Sequence, residues 1–398
     1  MTDPRVLVLH NRYRVEGGEE RSLDLHVRAL RHAGVAHAVH ERRSADAGRV
    51  GAAAALVRGG SNESDVAAAA TELGATVAHA HNMLPLVGPR GLAAARAAGA
   101  GVVLHLHNVR LFCATGSGER DGAPCARCRG RRTLPGLVLN CRRSLPEAVA
   151  YAAALSRHQP AVVDVVDRFV TPSAWAADRV AWLGLPRDRV QPLPHYLPAE
   201  IVSDHSRAAE GGYALVLSRL SPEKGVEDAI TAAAAAGVPL RIAGDGPERE
   251  RLEQLAARTG SRVELLGRVP PARVTELLQG AAMVLMPSRC HEFSPYSALE
   301  AMAQGVPVVA TAMGGLPELL GPGRCVPLTD GGAFAARMAV LWSDPPLREA
   351  EGEQLIARAR ANHSEERFTR ELLRLYREVA GPRPSASGDG LHPVTALG

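Results

Sequence analysis

The stretch MVLMPSRCHEFSPYSALEAMAQGVPVVAT, residues 283–311, contains a complete strand–loop–helix–strand unit. Its first six residues, 283–288, form the short apolar run that is typical of a buried parallel strand. Ser294 and the proline after it suit a helix N-cap and first turn, and Gly305 suits the end of that helix. A second apolar run follows at 306–311. This unit predicts two parallel strands joined by a helix.

The same alternation of apolar runs and helical patterns continues on both sides of this unit. Further buried strands are predicted at 5–10, 76–81, 101–106, 168–173, 213–218, 239–244 and 262–267. The helical patterns between them include Glu19 to about Ala33, 226–237, 247–258 and 271–281. Alternation at this spacing predicts an α/β protein with parallel sheets covered by helices on both faces.

The length of the chain favours two domains, because 398 residues exceed the size of one typical core. The polar, proline-containing stretch 194–211 has the composition of a linker. We therefore predict a Rossmann-like domain at 1–195 and a second Rossmann-like domain at 205–380, facing each other across a cleft. Residues 381–398 have the composition of a disordered tail.

The composition argues against several classes of protein. Apolar residues make up 46% of the chain, as expected of a globular protein, and the net charge of +4 is too small to indicate binding to nucleic acid. No apolar run approaches the roughly 20 residues that cross a bilayer, and the N-terminus lacks a basic-then-apolar signal pattern. We expect a cytoplasmic protein without a transmembrane segment. Peripheral membrane contact and the choice between monomer and homodimer stay open.

Loops at the carboxyl ends of the strands are the expected place for ligand-binding residues. The loop RLSPEKG, residues 219–225, carries Arg219 and Lys224 just before a helix. Two cations beside the free N–H groups of a helix N-terminus form a site for phosphate oxygens. Two solvated cations are the alternative interpretation.

Two glutamates accompany the helix of the opening unit. Glu292 lies in the loop before that helix, and Glu300 lies nearly two turns inside it. Carboxylates accept hydrogen bonds from hydroxyls, and a sugar nucleotide has hydroxyls at both ends of its diphosphate. We therefore predict one acid for each hydroxyl-bearing end of such a ligand, with the basic loop on the phosphates between them.

These loops resemble the successive motifs of a known family. SRLSPEKG, IAGDGPERERLE, HEFSPYSALEAMAQGVPVVAT and GGLPELL are similar to those of retaining glycosyltransferases of the GT-B fold, family four, the group 1 type. The resemblance is dense over roughly 213–320. In the N-terminal half it is thinner and rests on HNRYRVEGGEE and LHLHNVRLFC.

The resemblance implies a role for individual residues. Arg219 and Lys224 would bind the diphosphate, Glu300 the ribose hydroxyls and Glu292 the donor sugar. His107 would line the cleft near the reacting sugar, so that Glu292 and His107 are the catalytic candidates. Because His105 and His107 share one face of a strand, a core role for these histidines is the alternative.

Further donor contacts are implied for backbone groups. Phe293 and Ser294 would help to hold sugar and phosphate, and the loop at Arg268 and Val269 would meet the base. Gly17 and Gly18, at the start of the first helix, would let the backbone of the opposite domain approach the phosphates. Phe293 stands where the family usually has glycine, which restricts the approach of the backbone to the sugar.

Four of the six cysteines lie in a glycine-rich insert at about 108–143. They are Cys113, Cys125, Cys128 and Cys141, spaced C-x11-C-x2-C-x12-C. This spacing suits a tetrahedral thiolate site, with zinc favoured because no redox partner is apparent. Such a site would be structural and would shape the acceptor side of the cleft, and no catalytic metal is expected. Reduced cysteines without a ligand are the alternative.

The function predicted from these motifs is retaining transfer of a sugar from a nucleotide sugar, with UDP or GDP as nucleotide, to an acceptor hydroxyl. Glycosylation of cell-surface glycans or of specialised metabolites would fit this activity. A sugar-nucleotide epimerase of the same fold and a non-catalytic sugar-nucleotide-binding protein are the alternatives. A dehydrogenase is not indicated, because no G-x-G-x-x-G follows the first strand.

Overall fold

The computed structural model describes residues 3–12, 17–61, 63–260, 262–328 and 330–380, and the predicted tail lies outside these residues. The strands are β1 (Val6–Arg12), β2 (His37–Arg43), β3 (Val77–Asn82), β4 (Gly101–His105), β5 (Glu119–Arg120), β6 (Ala123–Pro124), β7 (Arg168–Thr171), β8 (Val190–Pro192), β9 (Tyr213–Leu217), β10 (Leu240–Ala243), β11 (Val263–Gly267), β12 (Ala281–Met286), β13 (Val308–Thr311) and β14 (Cys325–Val326). The α-helices are α1 (Gly18–His32), α2 (Gly48–Arg58), α3 (Glu63–Leu73), α4 (Gly88–Ala97), α5 (Leu134–Val138), α6 (Leu145–Val165), α7 (Ala174–Leu183), α8 (Val226–Ala236), α9 (Arg249–Thr259), α10 (Pro271–Gln279), α11 (Tyr296–Ala303), α12 (Leu316–Leu320), α13 (Gly331–Ser343), α14 (Pro345–Asn362) and α15 (Glu365–Ala380).

Two six-stranded parallel sheets form the framework. Their strand orders are β2-β1-β3-β4-β7-β8 and β11-β10-β9-β12-β13-β14. The central strands β3, β4 and β12 are buried along their whole length. Continuous burial is expected of strands covered by helices on both faces. The predicted α/β architecture of two parallel-sheet domains is confirmed.

The strand–loop–helix–strand unit at 283–311 has the predicted form. The helix α11 begins directly after Pro295 and ends before Gly305, whose φ of +66° lies in the left-handed region. Glycine adopts this conformation without steric cost, so the chain can turn there into β13.

The edge strand β2 was not predicted. Its sequence, HAVHERR, lacks an apolar run, and its residues are half-buried or exposed. It pairs along its length with β1, beginning at Val6 and His37. A strand with only one neighbour and one covered face carries a weaker apolar pattern, which explains the omission.

The last helix, α15, returns to the N-terminal domain. Its Tyr376 is fully buried, and the hydroxyl lies 2.6 Å from His26 Nε2 and 2.8 Å from His79 Nδ1. A Cβ on Gly101 would lie only 2.4 Å from the side chain of Val379. The C-terminal end of the chain is therefore packed closely on the N-terminal sheet. Within the described residues, no helix combines the length and apolar character needed to cross a membrane.

Candidate donor-binding cleft

The loops at the carboxyl ends of the two sheets border one cleft with a volume of about 1110 Å³. All residues that the sequence predicted for the donor site border it. They are Gly17, Gly18, His107, Arg219, Lys224, Arg268, Val269, Glu292, Phe293, Ser294 and Glu300. The fold thus brings together side chains that are far apart in sequence.

The basic loop after β9 is held in a single-turn conformation. Gly225 has a φ of +62°, and a Cβ there would lie 2.1 Å from the carbonyl oxygen of Pro287. Only glycine lets this loop lie so close to the end of β12. Arg219 Nη2 is 2.6 Å from Glu223 Oε1, and the Arg219 side chain is 57% exposed. The guanidinium therefore faces the open cleft with part of its charge compensated.

Lys224 and Glu292 form an ion pair at the floor of the cleft. Lys224 Nζ donates to Glu292 Oε1 at 2.6 Å, and Ser288 Oγ donates to the same oxygen at 2.6 Å. Burial opposes the charge on Lys224, but the attraction of Glu292 outweighs it and holds the pKa of Lys224 above its ordinary value of 10.5. The lysine is therefore charged at neutral pH.

The backbone around Glu292 is fixed by two glycines. The N–H of Gly315 donates to the carbonyl oxygen of Glu292 at 2.7 Å. Gly314 has a φ of +70°, and a Cβ there would lie 2.2 Å from that same oxygen. The GGLPELL motif therefore supports the loop that carries the first glutamate.

The second glutamate is paired across the cleft. Arg21, on α1 of the N-terminal domain, places Nη2 2.9 Å from Glu300 Oε1. Burial raises the pKa of Glu300, while the charge of Arg21 acts in the opposite direction. The Arg21 guanidinium also lies 5.7 Å from the centre of the Tyr296 ring. Arg21 thus forms an ion pair with Glu300, the carboxylate that was predicted to bind the ribose.

Phe293 connects the two domains. Its side chain is buried in an apolar cluster of the N-terminal domain, and Ser173 Oγ donates to its carbonyl oxygen at 2.6 Å. The carbonyl oxygen of Ser294 lies 3.2 Å from His195 Nδ1. The phenylalanine that replaces the family's glycine is therefore an interdomain packing residue.

Gly17 and Gly18 lie at the start of α1. The N–H of Gly17 donates to Glu20 Oε2 at 2.7 Å, so a side chain of the same helix already binds this group. A Cβ on Gly18 would lie 3.7 Å from the Tyr296 ring. Gly18 therefore lies at ordinary contact distance from the C-terminal domain, whereas the nearest neighbour of a Cβ on Gly17 is Glu20 of its own helix.

His107 borders the cleft, and His105 lies behind it. The two rings stack with centroids 4.3 Å apart, and His107 Nε2 lies 3.1 Å from His81 Nδ1. Burial lowers the pKa of His81, His105 and His107 well below 6.5, so all three are neutral at pH 7. Of the two alternatives predicted for these histidines, a place in the core fits His105, and a place at the wall of the cleft fits His107.

The four clustered cysteines border the same cleft. Cys113, Cys125, Cys128 and Cys141 are half-buried free thiols. Burial, with a smaller effect of the other three thiols, raises the pKa of Cys128 to about 11. Four thiols that are electrostatic neighbours suit a zinc site as a donor set. Among the described residues, however, the clusters that are close enough to hold a metal ion consist of histidines and do not include these cysteines.

Three site residues were not predicted. Glu223 and Ser288 lie inside quoted motifs, RLSPEKG and MVLMPS, but their hydrogen bonds to neighbouring side chains become visible only in three dimensions. Arg21 follows the glycine pair by one helical turn. The sequence position of Arg21 could have indicated its role, because a cation in the first turn of α1 lies on the same side of the domain as the glycine pair.

The sequence comparisons agree with this geometry. Residues 199–358 match the family model described as glycosyl transferases group 1. A D-inositol 3-phosphate glycosyltransferase from Corynebacterium urealyticum is 38% identical over 154 residues, covering 36% of this chain and 36% of that protein. Another, from Acidothermus cellulolyticus, is 31% identical over 257 residues, covering 57% of this chain and 56% of that protein. The chain thus spans about a third to just over half of the length of these relatives.

The structural comparison extends over both domains. The structure of HepE from Anabaena, in complex with UDP and glucose, superimposes with a TM-score of 0.67 at 18% identity, covering 94% of this chain and 99% of that chain. This likeness concerns the fold. Residues 199–358, which carry the basic loop and both glutamates, are thus similar to the group 1 glycosyltransferases, and the chain as a whole has the GT-B fold.

Proposed function

We propose that the protein transfers a sugar from a nucleotide sugar, with UDP or GDP as nucleotide, to an acceptor hydroxyl with retention of configuration. The observation that carries this proposal is the joint position of Lys224, Glu292 and Glu300 in one interdomain cleft. A lysine paired with one of two carboxylates of the same cleft offers separate partners for the sugar, the diphosphate and the ribose of such a donor.

The phosphate contacts are assigned to the basic loop. Lys224 is charged and oriented by Glu292, and Arg219 lies exposed at the cleft. Both would neutralise the diphosphate in the bound donor and the growing charge of the leaving group, where fixed charges in a desolvated site are most effective. The backbone groups of Phe293 and Ser294 and the loop at Val269 would complete the donor site.

The two acids have different proposed partners. Lys224 and Ser288 both donate to Oε1 of Glu292, so we assign Oε2 of Glu292 to the hydroxyls of the donor sugar. Glu300 would bind the ribose hydroxyls after Arg21 has released it. Exchange of Arg21 for ribose would couple donor binding to the contact between the domains.

The proposed chemical step retains the configuration of the sugar. The bond between the anomeric carbon and the diphosphate oxygen breaks, and the acceptor oxygen bonds to the same face of that carbon. The acceptor proton passes to the departing diphosphate oxygen. Lys224 and Arg219 stabilise the charge on that oxygen, while Glu292 and His107 hold the sugar between donor and acceptor sides.

A structural zinc ion is proposed for the cysteine insert. Cys113, Cys125, Cys128 and Cys141 would bind it as thiolates and so fix the wall of the cleft on the acceptor side. The ion would supply a cross-link and no open coordination position.

A panel of UDP- and GDP-sugars tests the proposed function. Binding of one donor, followed by slow release of its nucleoside diphosphate without acceptor, is the expected result. Binding without any release would favour the non-catalytic alternative. Conversion of the donor into an isomeric nucleotide sugar would favour the epimerase.

A further inference from the structure

Behind the cleft, the N-terminal sheet carries a buried histidine cluster. His79 and His81 lie on β3, His105 ends β4, and His26 comes from α1; each is at most 3% exposed. Two overlapping groups have ring nitrogens that all lie within 4.8 Å of one another. These are His26, His79 and His81, and His81, His105 and His107. The proposed sugar transfer uses only the last of these five residues.

His105 is the member that packing does not explain. It is 1% exposed, and neither ring nitrogen has a hydrogen-bond partner among the described residues. A neutral imidazole carries one N–H and one lone pair, and a buried polar group without a partner costs about 1–3 kcal/mol. An apolar side chain would avoid this cost. A bound ion that accepts the lone pair of His105 would explain why a polar side chain is buried there without a hydrogen-bond partner.

The distances select one of the two groups. Zinc binds imidazole nitrogens at about 2.05 Å, so two nitrogens of a tetrahedral site lie about 3.3 Å apart. His81 Nδ1 and His107 Nε2 share a hydrogen bond of 3.1 Å in this structure, and this separation is also close to that of two zinc ligands. His26 Nδ1 and His81 Nε2 are 2.6 Å apart, which is a hydrogen-bond distance and too short for two ligands of one ion. The ligand set is therefore His81, His105 and His107.

A cavity of about 40 Å³ lies beside these three histidines. A water molecule needs at least about 10–15 Å³, so the cavity can hold a bound water as a fourth ligand. Glu19 and Arg110 also border it, which places one charge of each sign there. Because His107 also borders the large cleft, an ion could enter from that side.

Groups behind the site orient His81. Its Nε2 lies 2.6 Å from His26 Nδ1, and His26 Nε2 lies 2.6 Å from the hydroxyl of Tyr376. Donation from His81 Nε2 to His26 leaves the Nδ1 lone pair of His81 directed at the site. Metal-binding histidines commonly have such a partner on the second nitrogen, which fixes the tautomer and the ring.

We propose that His81 Nδ1, His107 Nε2 and a ring nitrogen of His105 bind a divalent transition-metal ion. Three imidazoles and a water favour zinc among the common ions. The ion would hold the ring of His107 in place at the cleft. This site is separate from the cysteine cluster and does not depend on the proposed transfer reaction.

Two matched variants of the full chain test the site. His105→Leu removes one proposed ligand, whereas His10→Leu removes a fully buried histidine that also has no ring hydrogen bond but belongs to neither group. Each protein is dialysed against zinc, and bound zinc is measured by elemental analysis. We expect His105→Leu to bind one equivalent fewer than wild type, and His10→Leu to bind the same amount. A folded His105→Leu protein with wild-type zinc content would overturn the proposal.

A second measurement needs no histidine variant. X-ray absorption of the zinc-loaded wild type should contain a nitrogen shell at about 2.0 Å, in addition to any sulfur shell at about 2.3 Å from the cysteines. In Cys128→Ser the nitrogen shell should persist. A wild-type spectrum with sulfur ligands alone, or a chain that binds no zinc at all, would contradict the histidine site.

Discussion

Replacement of Lys224 by alanine should weaken binding of the free nucleoside diphosphate. The lysine would make a charge-assisted contact to phosphate, worth about 1.5–3 kcal/mol. Since 1.4 kcal/mol is a factor of ten, the expected rise in Kd is about 10- to 100-fold. Titration calorimetry with UDP and GDP measures this change directly.

The same substitution also affects stability, which has to be separated from binding. Glu292 is only 8% exposed, and without Lys224 its carboxylate keeps Ser288 as a donor but loses its counter-charge. Removing one partner of a buried ion pair costs up to about 3–5 kcal/mol, and the 24% exposure of the Lys224 side chain places this pair below that range. Urea unfolding should therefore find Lys224→Ala less stable than wild type.

The matched control is Glu292→Gln, alone and combined with Lys224→Ala. Glutamine removes the competing charge but keeps a similar shape, so Glu292→Gln should bind nucleoside diphosphate at least as tightly as wild type. The double variant should recover part of the lost stability but none of the lost affinity. Wild-type affinity for both UDP and GDP in a folded Lys224→Ala protein would refute the assignment of Lys224 to the phosphates.

Three further predictions concern other parts of the molecule. Glu300→Ala should raise the Kd of the nucleoside diphosphate about tenfold or more, whereas Arg21→Ala, which only removes the competing partner of Glu300, should not; equal losses in both variants would exclude the ribose role. The unfolding free energy should fall as the pH drops below 6.5. Burial lowers the pKa of His10 to about 4 and that of His195 to about 3, so the unfolded chain takes up protons that the folded chain does not. Each histidine lowers the unfolding free energy by up to about 1.4 kcal/mol per pH unit, and equal stability at pH 7.5 and 5.5 in urea titrations would contradict this. Cys128→Ser should lower zinc content and thermal stability together while nucleotide binding persists, and a variant with unchanged zinc content would exclude Cys128 as a ligand.

Much of the fold follows from sequence because both sheets are buried on both faces. The strand β12, AAMVLM, is a continuous apolar run, and the glycine and proline positions around α11 mark the ends of that helix. The edge strand β2 carries no such run. The return of α15 to the N-terminal sheet depends on packing between segments nearly 300 residues apart, as in the Tyr376–His79 hydrogen bond, and chain order does not indicate it.

The composition of the candidate site was predictable, but its internal pairing was not. The separate motifs point to one cleft because parallel strands end at the same edge of a sheet. The contact of Lys224 with Glu292 joins residues 68 positions apart, and Arg21 reaches Glu300 from the other domain. The first pair depends on how two strand ends lie side by side in one sheet, and the second on how the two domains face each other. Neither arrangement can be read from a local sequence pattern.

The stereochemistry of slow donor hydrolysis tests the central claim most directly. An α-linked nucleotide sugar is incubated with the protein without acceptor, and the anomer of the released sugar is followed by proton NMR before it equilibrates. Retaining transfer in this cleft predicts that the α-anomer appears first, together with the nucleoside diphosphate, and that Lys224→Ala slows both signals. First appearance of the β-anomer would contradict retention.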